Sequence, residues 1–296
     1  MSHVAVLISN PAAPAVDTDL SEAARTAIGG DAPRWLMDGV ACDIPLPQPS
    51  AEPETLDMRL REMLGNAPVD IAVVPETNRR KKLLIADMDS TIIGQECIDE
   101  LADLVGLKAH VAAITERAMR GEIDFEPALR ERVALLKGIE IATLQRLIEE
   151  RITVNPGATT LVKTMRANGG YAALVSGGFT YFTREIAARV GFDETRANEL
   201  LVEGDALLGE VREPILGRDD KRQRLDELTG ELRIRLDDAI AVGDGANDLA
   251  MLERAGLGVA YHAKPAVAEA ADVRIDHGDL TALLFLQGYS ADEFAA

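Results

Sequence analysis

Three short aliphatic runs constrain this chain more than any other feature of its 296 residues: Leu83-Leu84-Ile85-Ala86, Ala172-Ala173-Leu174-Val175 and Ala239-Ile240-Ala241-Val242. None shows the apolar–polar alternation of a strand with one wet face. Each therefore reads as a strand buried on both sides, which is the habit of parallel sheets covered by helices. Leu257-Gly258-Val259-Ala260 and Val273-Arg274-Ile275 extend the series more weakly. From Lys82 onward strands alternate with helical stretches, so the expected class is α/β with a Rossmann-like parallel sheet at its core. Aromatics make up only 4% of the residues, and Ala, Leu and Val supply most of the apolar content, which suits aliphatic layers.

Two segments fall outside that alternation. Residues 1–78 read as a small α+β unit: strands at Val4–Ile8, near Trp35, at Val40–Ile44 and at Ile71–Val74, with helical spacing over Leu20–Ile28 and Glu54–Leu64. The order β-α-β-β-α-β is that of a ferredoxin-like module. Pro75 to Lys82 reads as a linker, with the basic run Arg79–Lys82 solvated. The second domain then spans 79–296, and a chain starting near Arg79 is expected to fold and work alone. Within it, residues of about 94–155 form an insertion too long for one crossover. Helical spacing over Cys97–Val105, Ala109–Met119, Phe125–Leu136 and Thr143–Glu150 predicts a helical cap over the sheet. Asn198–Pro214 predicts a hairpin.

Net charge is −19, which repels phosphate backbones and excludes nucleic acid as a natural partner. Two cysteines, Cys42 and Cys97, are too few for a disulfide framework or a zinc cluster. No leader pattern and no apolar run of membrane-spanning length is present, so no membrane partner and a cytoplasmic location are expected.

Each of the three aliphatic runs leads into a polar cluster: Asp87-Met88-Asp89-Ser90-Thr91, Ser176-Gly177-Gly178 and Gly243-Asp244-Gly245-Ala246-Asn247-Asp248. Ligands of open α/β sheets bind outside the carboxyl ends of the strands, so the three clusters converge on one site. Asp87 and Asp89 can supply one ionised and one protonated carboxyl, because crowded like charges push their pKa values apart. Turn or cap aspartates are the ordinary alternative. Asp244 and Asp248 admit a similar one, a glycine-flanked cap at the start of a helix over Asn247–Ala255. Neither alternative explains why four aspartates collect at strand ends. Oxygen donors without His or Cys suit a hard cation, and Mg²⁺ with phosphate is the commonest case. Ser176 with two glycines could cradle phosphate oxygens, although any flexible loop can look this way. Lys221, the only lysine between Ser176 and Asp244, is the candidate counter-charge or else a surface residue.

Taken together with Glu96-Cys97-Ile98-Asp99-Glu100-Leu101, these residues resemble the haloacid dehalogenase-like phosphatases, and Asp87–Thr91 and Gly243–Asp248, with Glu96 between them, point to the branch that acts on phosphoserine. The resemblance covers about residues 82–286. It implies that Asp87 is the nucleophile that forms an aspartyl-phosphate, and that Asp89 is the general acid and then base. It further implies Mg²⁺ on Asp87, Asp244 and the backbone carbonyl of Asp89, with Asp248 in support. Ser176, Gly177, Gly178 and Lys221 would grip phosphate, and Asn247 would help to position it. In the cap, Glu96 would meet the substrate ammonium and Arg132 its carboxylate. Phe125 and Met119 would line the same pocket. Phe125 and Arg132, seven apart on one helix, share a face.

The N-terminal module resembles the amino-acid-sensing domains that precede some members of this family. Ser9-Asn10-Pro11-Ala12-Ala13-Pro14-Ala15 lacks the glycine that often shapes their effector loop, and a spacer or homodimerising role stands beside sensing. Two other functions remain open at this point. One is transfer of the phosphoryl group to another hydroxyl; the other is amino-acid binding by a regulator with a vestigial catalytic domain. The intact set Asp87, Asp89, Lys221 and Asp244 argues against the latter.

Overall fold

The structure, a computed structural model, describes residues 2–49, 51–119 and 122–295, with the side chain of Met119 outside that description. The chain opens with β1 (His3–Ile8), α1 (Thr18–Ile28), β2 (Arg34–Met37), β3 (Ala41–Leu46), α2 (Pro53–Leu64) and β4 (Asp70–Pro75). The four strands form an antiparallel sheet ordered β2-β3-β1-β4, the ferredoxin-like arrangement expected. Alternation sorts its side chains onto two faces. Ala5, Leu7, Cys42, Ile44 and Ile71 pack with Ala24 and Ile28 of α1 and Leu56 and Leu60 of α2. Asp17 caps α1 by accepting from the Leu20 N–H at 2.8 Å, a contact worth about 1 kcal/mol.

After β5 (Leu83–Ala86) comes the helical cap, made of α3 (Cys97–Leu104), α4 (Lys108–Met119), α5 (Phe125–Ala134) and α6 (Ile141–Glu150). The chain returns through α7 (Ala158–Ala167), β6 (Tyr171–Phe179), α8 (Thr180–Val190) and β7 (Glu194–Asn198). A hairpin follows, β8 (Leu200–Glu203) and β9 (Ala206–Val211), then α9 (Arg218–Leu232), β10 (Ala239–Gly243) and α10 (Leu249–Leu252). The last elements are β11 (Leu257–Tyr261), α11 (Pro265–Ala270), β12 (Val273–Ile275) and α12 (Ala282–Leu286). The second sheet runs β12-β11-β10-β5-β6-β7, all parallel. Leu83, Ile85, Ala173, Val175, Ala239 and Ala241 face Leu225 and Leu228 of α9, with Met251 and Val267. Leu84, Ala86, Leu174, Ile240 and Val242 face the other way, toward Leu161, Phe182, Ile186 and Phe285. Both faces are dry, as the aliphatic runs required.

The hairpin braces the cap. The Gly138 N–H donates to the Leu207 carbonyl at 2.8 Å and the Leu207 N–H to the Ile139 carbonyl at 2.9 Å. Where α6 and α5 meet this hairpin, the cap is fixed to the β7 side of the sheet rather than standing free.

The basic run Arg79–Lys82 departs from expectation at Arg79. Arg79, whose side chain is 9% exposed, makes a two-pronged ion pair with Asp43 of β3 while donating to the carbonyls of Phe285 and Leu286. Arg80 stacks 4.1 Å above the ring of buried Tyr289 and pairs with Glu293. Asp70 accepts from three successive backbone N–H groups, those of Asp276, His277 and Gly278, the last at 2.7 Å. Between these polar anchors Val4, Val6, Ile8, Ala72 and Val74 share one continuous core with Leu283, Phe285 and Leu286. Arg79 thus belongs to a seam, because its charge answers partners far away in the chain, whereas the Arg80 and Lys82 side chains stay exposed as expected.

Candidate active site

The site lies at the carboxyl ends of β5, β6 and β10. Beyond Ala86 the chain leaves the sheet at Asp87, whose N–H still donates to the Val242 carbonyl at 3.0 Å. It then turns tightly, with the Ile93 N–H donating to the Met88 carbonyl at 3.0 Å. Ser90 takes φ 54°, in the left-handed region that costs a non-glycine residue energy. That turn brings the carboxylates of Asp87 and Asp89 to one cavity of about 440 Å³. In β6 the pairing with β7 jumps from Val175 to Phe179, so Ser176-Gly177-Gly178 bulge out of the ladder toward the same cavity. Gly178 passes so close that an added methyl would meet Asp89 Oδ2 at 3.0 Å and Ser176 Oγ at 3.1 Å.

Lys221, only 4% exposed, is the hub of the charge arrangement. Its Nζ stands 2.7 Å from Asp87 Oδ1 and 2.6 Å from Asp248 Oδ1. The other Asp248 oxygen accepts from the Gly245 N–H at 3.0 Å. Asp248 thus serves the lysine and the loop; its side chain does not cap the following helix, and α10 is shorter than the sequence suggested. Gly243 must be glycine here, since an added methyl would fall onto the Asp248 carboxylate. The Asp244 carboxylate accepts a long bond, 3.4 Å, from the Thr91 hydroxyl.

Asp89 points elsewhere. Its Oδ1 accepts from the Cys97 N–H at 2.9 Å, and its Oδ2 accepts from the Ser176 hydroxyl at 3.3 Å. Cys97 opens α3, whose own N-cap side chain makes no capping bond, so Asp89 takes one of the helix's orphan donors. This carboxylate is therefore joined to the first turn of the cap.

Burial lifts the Asp87 carboxyl well above its ordinary value, the Asp248 charge adds to the lift, and Lys221 draws it back. Asp89 is raised by burial against the pull of its bond from Cys97. Asp244 is raised by burial and by Asp248. Burial works against the Lys221 ammonium, but Asp248 and Asp87 outweigh it and hold the group above its usual value. Asp87, Asp244 and Asp248 offer carboxylate oxygens all within 4.8 Å of one another. Among the described residues three buried carboxylates face a single buried ammonium, that of Lys221, and every donor is oxygen, so the residues fit a hard divalent cation. The Asp89 carboxylate is not part of that trio.

The cap supplies the remaining wall. Glu96 borders the cavity and accepts from the Ser90 hydroxyl at 2.8 Å. Enclosure by the cap, together with the Asp89 charge, pushes its carboxyl up to about 7. Arg132 reaches the cavity from α5, its Nε donating to the Ala128 carbonyl of its own helix at 3.3 Å. Burial draws its guanidinium below its ordinary value while Asp99 and Glu96 hold it up. Among the described residues Arg132 forms no ion pair, which leaves its fork without a carboxylate partner. The Phe125 ring, 41% exposed, lies against Gly177 and Gly217. Asn247 also lines the cavity; the position of the Met119 side chain lies outside the described residues. Sequence reasoning missed Asp99 and Lys264, which also line the cavity, and Asn198, which braces it. Asp99 lay within the Glu96–Leu101 string; Lys264 and Asn198 carried no local signal.

The haloacid dehalogenase-like hydrolase family model matches residues 84–253, more than half of the chain. The chain belongs to the haloacid dehalogenase-like hydrolases. Over 210 residues this hydrolase is 51% identical to the phosphoserine phosphatase of Albidiferax ferrireducens, an alignment that covers 69% of the chain and 89% of that protein. A solved haloacid dehalogenase family hydrolase of Salmonella enterica serovar Typhi superposes with a TM-score of 0.85 at 33% identity, covering 96% of this hydrolase and 98% of that chain. A probable phosphoserine phosphatase from Vibrio cholerae gives 0.78 at 30% identity over 99% and 88% of the two chains. Both superpositions take in nearly the whole hydrolase, the ferredoxin-like sheet included. The family match and relatives at this level of identity make the protein a phosphatase. No helix among the described residues is long and apolar enough to cross a membrane.

Proposed function

We propose that this hydrolase converts L-phosphoserine to L-serine and phosphate through an aspartyl-phosphate on Asp87, as the last step of serine biosynthesis in the cytoplasm. The observation that carries the reading is the division of labour between two neighbouring carboxylates. Asp87 is held 2.7 Å from Lys221, whereas Asp89 turns away to Cys97 and Ser176, and both border the cavity that Glu96 and Arg132 overlook.

Asp87 attacks phosphorus in line, which splits one difficult displacement into two easier ones. Asp89, whose affinity for a proton burial raises, gives a proton to the departing seryl oxygen and then takes one from water. Ser176, the Gly177 and Gly178 backbone and Lys221 hold the phosphoryl oxygens, with Asn247 at their edge. Asp87, Asp244 and the Asp89 carbonyl would hold Mg²⁺, with Asp248 behind them. The bound ion would supply positive charge where the phosphate's negative charge must approach three carboxylates. Glu96 faces the substrate ammonium and Arg132 its carboxylate, while Phe125 walls the pocket. In this proposal the chemistry belongs to residues 79–296, and residues 1–78 form a ferredoxin-like module beside it.

The test is phosphate release from a panel of phosphomonoesters with and without Mg²⁺. Phosphoserine should be the best substrate, and only with metal. A better substrate lacking the ammonium or the carboxylate would overturn the assignment.

A further inference from the structure

The phosphate-facing loop after β6 and the helix that carries Lys221 come from different parts of the chain, and one buried amide joins them. Asn198, the last residue of β7, is 2% exposed. Its Nδ2 donates to the Gly177 carbonyl at 2.9 Å and to the Leu216 carbonyl at 3.2 Å. Its Oδ1 accepts from the Leu216 N–H at 2.8 Å. Both amide donors are thus spent, and a flipped amide would set its oxygen against two carbonyls. On one side of this strut the Ser176 hydroxyl is set by the Gly178 N–H at 2.9 Å. On the other the Gly217 N–H donates to Asp220 at 2.6 Å and opens the turn that carries Lys221. Above it, the Phe125 ring of the cap lies over both Gly177 and Gly217. Closing the end of β7 needs only backbone bonds. The side chain instead fastens two loops whose spacing decides where Ser176 and Lys221 sit.

Building on the phosphatase reading above, we propose that Asn198 is a positioning residue. It sets the separation of the Ser176 hydroxyl from the Lys221 ammonium, and it keeps level the seat on which Phe125 rests. Loosening it lets the two loops drift apart, and a displacement on the scale of an ångström at a phosphoryl site lowers rate and binding together.

Two variants test this in the full-length protein, Asn198→Asp and Asn198→Ser, assayed well below their melting midpoints with the folded fraction checked by circular dichroism. Asn198→Asp keeps the shape but turns an acceptor toward two carbonyls; Asn198→Ser leaves room for a bridging water. For Asn198→Asp, kcat should fall about tenfold or more, and KM for phosphoserine and the inhibition constant of orthophosphate should rise in parallel. Asn198→Ser should fall between that variant and the parent. A lower melting temperature with all three constants within about twofold of the parent would reduce Asn198 to a structural residue. Should neither variant fold, hydrogen exchange at the Leu216 amide of the unaltered protein decides. Saturating orthophosphate should slow it about tenfold, and unchanged exchange would contradict the proposal. Orthophosphate binding does not depend on which monoester is the substrate, so failure here is distinct from failure of the phosphoserine assignment.

Discussion

The Arg79 guanidinium and the Asp43 carboxylate meet in a buried two-pronged ion pair, at 2.6 and 3.0 Å, where the first sheet lies against the C-terminal helix. Removing one partner strands the other charge in a dry seam, so Arg79→Ala should lose about 3–5 kcal/mol of unfolding free energy. Replacing both with apolar residues of similar size should recover most of it. Chemical denaturation of the two variants checks the pair. The same seam makes a chain that begins at Arg79 expose Leu283, Phe285 and Leu286, which the first sheet otherwise covers. Aggregation of that truncated chain is the expected result, and a monodisperse, fully active one would show that the seam is dispensable.

Glu96 should impose a pH limb. With its carboxyl raised to about 7, it is charged above that pH and neutral below it. Only the charged form attracts the substrate ammonium, so kcat/KM for phosphoserine should fall as pH drops through about 7. Glu96→Gln should flatten that limb while lowering its plateau. For stability the sign is opposite: the folded state binds this proton more tightly than the unfolded one, so the contribution is present at low pH and is lost as pH rises through about 7. Glu96→Gln should therefore be no less stable than the parent at pH above 8. Identical pH profiles for parent and variant would contradict this role.

Chelation should abolish turnover and Mg²⁺ should restore it. Asp244→Asn should resist that rescue, because Asp244 is one of the three carboxylates whose oxygens lie within 4.8 Å of one another and the substitution removes its charge from that set. Ca²⁺ should substitute poorly, since its larger and more flexible shell misaligns an in-line attack. Metal titrations of the activity read all three outcomes. Full turnover in excess chelator would remove the ion from the mechanism.

Arg132 and Glu96 should separate in substrate discrimination. Phosphoethanolamine lacks the carboxylate and phospholactate lacks the ammonium, so each should be turned over much less efficiently than phosphoserine. Arg132→Ala should narrow the gap to phosphoethanolamine, and Glu96→Gln the gap to phospholactate. Equal losses on all three substrates in both variants would mean that the residues support the cap rather than read the amino acid.

The parts of this molecule that could be read from its sequence are those whose signal is local. An aliphatic run that gives way to aspartates, or to Ser-Gly-Gly, announces a strand end. Three such ends place Asp87, Ser176, Asp244 and Asp248 on one edge of the sheet. Lys221 emerged because it is the only lysine in its interval. What escaped was set by distant partners. Asp43 and Asp70 look like ordinary strand acids until Arg79, 36 residues on, and the Asp276–Gly278 amides, about two hundred residues on, meet them. Arg79 therefore read as a solvated linker residue. β7 went unforeseen because an edge strand containing Glu194 and Arg196 need not be aliphatic. Asn198 is silent for the same reason, since its three bonds reach 18 and 21 residues away.

The covalent role of Asp87 is the centre of the account, and acid quenching during turnover of phosphoserine labelled on phosphorus tests it most directly. The label should remain on the protein, resist acid, be lost in alkali as an acyl phosphate is, and map to the peptide that holds Asp87. Asp87→Asn should retain no label and lose several orders of magnitude in turnover while keeping its fold, because Lys221 still pairs with Asp248. Label on another residue, or none in an enzyme that turns over at full rate, would contradict the mechanism.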